Sequence, residues 1–238
     1  MKLSFNPIKV LGKTLLVVGL TLAMGGASLF AQTIYTGTLA NLAATGGSLS
    51  IGDKTFSGFS YQDSGLTAFD PTAITVTASE SGGVDYLTWS GNISLVSSGI
   101  ATADLLLQYV VTANLGAINM IDQSYTLGSA VNGLVEVDEN VAIGAFGGIV
   151  VANSDLDINT PSQTQGPTLI VNPAQSVLYV TKDISLGVIP PVGAAGSVTL
   201  TQVEQSFHQV PEPGTMLLGS LGGGLLLFLR SRRQVRRN

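Results

Sequence analysis

Residues 104–112, DLLLQYVVT, decide the fold class, because they form an almost continuous apolar run between polar neighbours. Such a run predicts a central β-strand that is covered on both faces. Upstream, residues 73–77, AITVT, alternate apolar and polar side chains with a period of two, and Ser81-Gly82-Gly83 then predicts a turn. This part of the chain is therefore typical of short strands separated by turns.

The same pattern continues through the middle of the chain. Asn132-Gly133 predicts a hairpin between residues 125–131 and 134–137, since both residues tolerate the positive φ of a type I′ turn. Further strands are predicted at residues 34–42, 143–151, 176–185 and 196–207. The clearest loops are residues 161–173 and 189–193. With no amphipathic helix between about ten strands, we predict an all-β fold, an antiparallel, jelly-roll-like β-sandwich over residues 32–209.

The composition excludes several kinds of site. The chain has no cysteine, and His208 is its only histidine. This excludes a disulfide framework, a thiolate nucleophile, a zinc ribbon and a multi-histidine metal cluster. A net charge of −5 argues against nucleic acid as a partner, because phosphate neutralisation needs a basic surface. We predict no cofactor.

The charge is divided unevenly along the 238 residues. Residues 1–31 carry three lysines, residues 32–210 carry 14 acidic residues against two lysines, and residues 211–238 carry five arginines and one glutamate. Because basic residues beside an apolar segment stay on the cytoplasmic side, both ends are predicted to lie inside and the acidic middle outside.

The N-terminus has the three parts of a secretory signal peptide. Residues 1–13 are basic, residues 14–23 (TLLVVGLTLA) are apolar, and small residues follow. We predict cleavage by signal peptidase after Ala31, with Ala27 as the alternative, so that residues 1–31 form the signal peptide.

The C-terminus predicts a second membrane segment. Pro211, Glu212 and Pro213 precede the apolar residues 216–229, within which only Ser220 is polar. A helix from Pro213 to Leu229 would be about 25 Å long, just short of a typical ~30 Å bilayer core, and snorkelling arginines or a thinner bilayer would make up the difference. A basic cluster follows at once, at Arg230, Arg232, Arg233, Arg236 and Arg237.

A Pro-Glu-Pro triplet, a short apolar span and an arginine cluster in this order resemble the PEP-CTERM sorting signal, here over residues 210–238. The resemblance implies that Pro211, Glu212 and Pro213 are the sorting motif and that the five arginines are the stop-transfer tail. It also implies a transient anchor and processing by exosortase, a membrane-embedded cysteine protease. The expected destination is the cell envelope or the extracellular matrix, often alongside exopolysaccharide.

Two acidic groups are candidates for chemistry. Asp155-x-Asp157-x-Asn159 begins like a calcium loop, but Thr160 and Gly166 replace the glycine and glutamate that an EF-hand needs. This leaves a looser calcium site on a sandwich edge or, as the favoured alternative, solvated loop acids. Glu136 and Asp138, about 6.7 Å apart on one strand face, form with Glu139 the densest acidic group. Paired carboxylates can hydrolyse glycosides, yet no apolar pocket is evident, so an exposed acidic strand edge is expected.

The remaining candidates are aromatic or basic. His208 precedes Pro211 so closely that we expect a mobile, exposed stalk residue rather than a triad member. Trp89 and Tyr86 could form part of a sugar-stacking platform, although such aromatics belong to the core more often.

We therefore predict an exported, non-enzymatic surface or matrix sandwich. Its possible partners, besides exosortase, signal peptidase and the membrane, include exopolysaccharide. The alternatives are a carbohydrate-binding module and, less favoured, a secreted glycoside hydrolase.

Overall fold

The computed structural model describes residues 34–158 and 166–210. In chain order its elements are β1 (Ile34–Thr38), α1 (Leu39–Thr45), β2 (Leu49–Ile51), β3 (Lys54–Ser64), β4 (Ala68–Phe69), β5 (Thr75–Ser81), β6 (Val84–Ser97), β7 (Ala101–Ala113), β8 (Ala117–Val131), β9 (Gly133–Ile143), β10 (Ile149–Ile158), β11 (Leu169–Gln175), β12 (Val177–Val188) and β13 (Gly196–Val210). Strands therefore dominate the described part of the chain, as the sequence predicted.

The strands form two antiparallel sheets. Sheet A has the order β1-β5-β6-β13-β8-β11, with β4 beside β6, and sheet B has the order β10-β9-β12-β7-β3-β2. From β6 to β13 the chain passes repeatedly between the sheets, giving β6-β13-β8-β11 in sheet A and β7-β12-β9-β10 in sheet B. The two antiparallel sheets confirm the predicted all-β sandwich.

The core lies between the sheets and is formed by alternate residues of each strand. In β7 the inward-facing Leu105, Leu107 and Tyr109 are buried, and β7 lies inside sheet B between β12 and β3. The prediction of a central strand is confirmed. Full cover on both faces is wrong, because Leu106 and Val110 point outward and are only half-buried.

The predicted hairpin at Asn132-Gly133 is also wrong. Asn132 does have a positive φ of 52°, but β8 belongs to sheet A and β9 to sheet B, so the chain crosses between sheets here. A Cβ on Gly133 would lie 2.9 Å from the Cβ of Val198 and 3.1 Å from the carbonyl oxygen of Ser197. Glycine is therefore needed at position 133, because the backbone passes close to β13 where the chain crosses between the sheets.

Three other expectations need correction. The predicted strand over residues 34–42 ends at Thr38, whose hydroxyl caps α1 by accepting from the amide of Asn41 at 3.3 Å. Residues 143–151 are mostly the connection from β9 to β10. The loop predicted over residues 161–173 contains the start of β11, whereas residues 189–193 do connect β12 and β13 as a loop.

Several predictions lie outside the described residues. These are the signal peptide with Ala31, the sorting motif, the apolar residues 216–229 and the arginine cluster. Between residues 34 and 158 and between 166 and 210, no helix has the length and apolar character needed to cross a membrane.

Candidate functional site

The outer face of sheet A carries a pocket of about 360 Å³. It is built from neighbouring positions of three strands, since Ser206 of β13 pairs with both Tyr86 of β6 and Asp122 of β8. Its other lining residues are Ser124, Gly166, Thr168 and Glu204, together with Gln123, whose side chain points inward. The pocket therefore combines two carboxylates, several hydroxyls and one aromatic ring.

Hydroxyl groups hold both carboxylates in place. Glu204 accepts hydrogen bonds from Thr88 Oγ1 at 3.1 Å and from Ser124 Oγ at 3.3 Å. Asp122 Oδ1 accepts from Thr168 Oγ1 at 2.6 Å. Such contacts fix the direction of the remaining oxygen lone pairs, which are the acceptors that a polar ligand would meet.

His208 lies beside this pocket and is not a stalk residue. It belongs to β13, and its Nε2 lies 2.9 Å from Asp122 Oδ2 and 3.2 Å from Ser206 Oγ. A catalytic triad uses the two ring nitrogens for different partners, whereas here one nitrogen faces both. The three residues therefore meet without the geometry of a proton relay.

Trp89 and Tyr86 point to opposite faces of β6. Trp89 is 2% exposed and packs on Tyr109 in the core, with ring centroids 5.2 Å apart. Tyr86 is half-buried and lines the pocket. A platform made by both rings is therefore wrong, and Tyr86 alone is available to a ligand.

The acidic residues of β9 also point to opposite faces of their sheet. Glu136 and Asp138 point outward, where Asp138 is flanked by Asp155 of β10 and Asp183 of β12. Carboxylate oxygens of Glu136, Asp138 and Asp155 lie within 4.8 Å of one another, so they are the described carboxylates that could share a cation. Glu139 instead points inward and is fully buried.

The calcium-like stretch lies on the edge strand of sheet B, so the looser calcium site on a sandwich edge stays a prediction. Asp155 and Asp157 lie on β10, facing Asp138 and Glu136 of β9, rather than in a loop that surrounds an ion. Asn159 lies outside the described residues. The stretch therefore extends the acidic outer face of sheet B.

No lysine or arginine on the described surface balances these acids, because Lys54 and Lys182 are both buried. Loss of surrounding water and the neighbouring carboxylates, that of Asp138 first, raise the pKa of Glu136 above its usual 4.5. Desolvation, with repulsion from Asp104 and Asp138, likewise raises the pKa of Asp183. The ionised acidic face therefore opposes folding at neutral pH.

We expect Glu136→Gln to raise the melting temperature at pH 7 and to lose this advantage as the pH falls towards 4.5. A carboxyl whose pKa is raised in the folded state binds protons more readily there, so stability falls as pH rises through that window. Thermal unfolding at both pH values measures the effect. Asp70→Asn is the control of opposite sign, since hydrogen bonds from Thr72 lower the pKa of Asp70. A variant that melts below the wild type at pH 7 would contradict the prediction.

A buried polar cluster was missed by the sequence analysis. It lies between the sheets, where Lys182 forms an ion pair with Glu139. The members are Tyr109, Gln123, Tyr125, Glu139, Lys182 and Gln205. The period-two pattern of the strands indicates that both charged residues face inward. Lys182 lies two residues from the inward-facing Val180 and Ile184. Glu139 lies two residues from the inward-facing Val137 and Val141.

Comparison with known proteins identifies the C-terminal segment. Residues 209–233 match the family described as the PEP-CTERM protein-sorting motif, in agreement with the resemblance at Pro211, Glu212 and Pro213. The motif implies an exported protein that passes through the membrane and is processed by exosortase. No curated protein sequence matches the chain.

Solved structures give only weak similarities. TmCBM61, determined in complex with β-1,4-galactotriose, is 13% identical, with 62% of this chain and 88% of that chain covered and a TM-score of 0.30. A second structure, from a study of promiscuous carbohydrate-binding modules of the β-sandwich superfamily, is 14% identical, with coverage of 60% and 55% and a TM-score of 0.30. A family two carbohydrate esterase from Cellvibrio japonicus is 14% identical, with coverage of 76% and 36% and a TM-score of 0.28. At these TM-scores the structural similarity supports no conclusion about function.

Proposed function

Since the chain carries the PEP-CTERM motif at residues 209–233, we propose that it is a cell-surface or extracellular-matrix protein whose sandwich binds exopolysaccharide without catalysis. The signal peptide starts export, the C-terminal span anchors the chain for a time, and exosortase processes it near Pro211–Pro213. The acidic domain then remains outside the inner membrane, in the envelope or the matrix.

The pocket of sheet A carries the proposal of carbohydrate binding. Sugars present hydroxyl groups around a ring with apolar faces, and Asp122, Glu204 and Tyr86 offer acceptors beside an aromatic ring. The carboxylates are already oriented by Thr168, Thr88 and Ser124, so little ordering is needed on binding. The pocket is open and small, which suits a short stretch of a neutral polysaccharide.

The acidic pair on β9 favours a non-catalytic role over glycoside hydrolysis. A general acid must be kept protonated, usually in an apolar pocket. Glu136 and Asp138 lie instead on an open sheet face among Asp155, Asp157 and Asp183. If a measured hydrolase activity were unchanged in a Glu136→Ala, Asp138→Ala variant, these two carboxylates would not be its site.

We expect Tyr86→Ala to weaken binding of the full chain to its polysaccharide about tenfold, the effect of losing one ring contact. A glycan array identifies the sugar, and titration of wild type and variant with that sugar measures the change. Tyr35→Ala is the matched control, because Tyr35 is 49% exposed on β1, at the edge of the same sheet and outside the pocket. If the wild type binds no glycan, only the structural role remains.

Sorting is tested independently by mass spectrometry of the termini of the protein recovered from envelope and medium. We expect an N-terminus after Ala31 and a C-terminus near Pro211–Pro213 that lacks the arginine cluster. An exported chain that still ends in Arg236, Arg237 and Asn238 would contradict processing by exosortase, and one that begins before Gly25 would contradict signal cleavage.

A further inference from the structure

The buried polar cluster contains more polar groups than the ion pair between Lys182 and Glu139 needs. All six side chains lie between the two sheets, and none of their residues is more than 4% exposed. Lys182 comes from β12 of sheet B, whereas Gln123 and Tyr125 come from β8 of sheet A. A buried amine, a buried carboxylate and a buried primary amide are thus brought together across the core.

The amine of Lys182 contacts each group that would be needed to form a new amide bond with Gln123. Lys182 Nζ donates to Gln123 Oε1 at 2.9 Å and to the Tyr125 hydroxyl at 2.9 Å, and it pairs with Glu139 Oε2. The second oxygen of Glu139 accepts from Gln205 Nε2 at 2.6 Å, which fixes the carboxylate beside the amine.

The amide of Gln123 is held at both ends. Its Oε1 accepts hydrogen bonds from Lys182 and from the Tyr125 hydroxyl, while its Nε2 donates to Ser154 Oγ at 2.9 Å. Burial raises the pKa of Tyr125, so that its hydroxyl stays protonated as a donor. Donors on a carbonyl oxygen stabilise the negative charge that develops there during attack by a nucleophile.

We propose that Lys182 and Gln123 form an intramolecular isopeptide bond that links the two sheets covalently. Glu139 is the base, Lys182 Nζ is the nucleophile, the Cδ of Gln123 is the electrophile and Tyr125 supports the carbonyl oxygen. The contacts of Nζ with Glu139 and with Gln123 Oε1 carry this assignment.

The reaction balances without any additional reagent. Glu139 takes one proton from the ammonium of Lys182, and the free amine attacks Cδ of Gln123. The Nζ–Cδ bond forms, the Cδ–Nε2 bond breaks, and Nε2 leaves as ammonia with a second proton from Nζ. One proton remains on Glu139, and nothing is oxidised or reduced.

The buried core favours the isopeptide bond over the separate side chains. Before reaction the sandwich buries a cation and an anion, and removal of both from water opposes folding. After reaction Lys182 is a neutral amide and Glu139 a neutral acid, so both buried charges have disappeared. The ammonia released leaves the protein, which makes the step irreversible in dilute solution.

The bond would connect residues 59 positions apart in the sequence. A cross-link of this kind restricts the unfolded chain as a disulfide does, and the chain has no cysteine with which to make one. Disulfides form and persist in many exported proteins. The isopeptide bond would therefore take the place of a disulfide between the sheets.

The test is peptide mass spectrometry of the exported protein recovered from a Gram-negative host that expresses the full chain. Peptic digestion should give a branched peptide that contains Gln123 and Lys182 and weighs one ammonia less than its two parts. Separate, unmodified peptides from the folded protein would overturn the proposal. A loss of water with attachment at Glu139, or a bond to Gln205, would overturn the assignment to Gln123.

Variants test the roles of the individual groups. Glu139→Gln should give only the separate peptides, because the base is lost, and Gln123→Met should do the same. Lys54→Met is the matched control, since Lys54 is also buried and paired with carboxylates but lies apart from Gln123. The branched peptide should persist in that variant. Its loss there, or its survival in Glu139→Gln, would contradict the assigned roles. The wild-type digest stands even if a variant fails to fold.

Discussion

Replacing Lys182 by methionine is expected to lower the free energy of unfolding by about 3–5 kcal/mol. Methionine fills most of the space of the lysine stem, but it can form no bond to Gln123 and it leaves Glu139, which is fully buried, without its partner. The carboxylate must then remain charged in the core or take up a proton. Denaturant unfolding followed by circular dichroism measures the loss.

The double variant Lys182→Met, Glu139→Leu separates the ion pair from the proposed cross-link. Neither variant can form a bond between Lys182 and Gln123, so the difference between them reports on the unpaired carboxylate, reduced by the loss of the hydrogen bond that it accepts from Gln205 Nε2. We expect the double variant to recover the part of the loss that the unpaired carboxylate causes, because apolar side chains of similar volume commonly replace a buried ion pair without loss. The part that the missing cross-link causes stays lost in both variants. Equal stability of the single and double variants would show that Glu139 does not need Lys182.

The alternation of side chains predicted strands well but could not assign them to sheets. Gly82 and Gly83 both have positive φ and form the turn between the paired strands β5 and β6, as their sequence predicted. Asn132-Gly133 has an equally good local signal, yet the chain crosses there to the other sheet. The difference arises from long-range pairing, since β13 occupies the place beside β8 that a hairpin partner would need.

The pocket could not be predicted for a similar reason. Glu204 and Thr88, which meet at 3.1 Å, are 116 residues apart in the sequence. The nearness of His208 to Pro211 predicts a stalk residue, whereas its pairing with Met120 of β8 places it in sheet A. By contrast, the inward-facing position of Lys182 follows from period two alone, and strand alternation applied to each polar residue would have found the buried cluster.

Replacing Trp89 by alanine is expected to lower the free energy of unfolding by about 3–5 kcal/mol and to leave the affinity of the folded protein for sugar unchanged. The ring is 2% exposed and packs on Tyr109, so its removal leaves a cavity between the sheets. Tyr86→Ala on the same strand is the matched control, with a loss of about 1 kcal/mol or less but weaker binding. Circular dichroism must follow unfolding, because Trp89 is the only tryptophan. Weaker sugar binding by folded Trp89→Ala would mean that the core, rather than the outer face of sheet A, controls recognition.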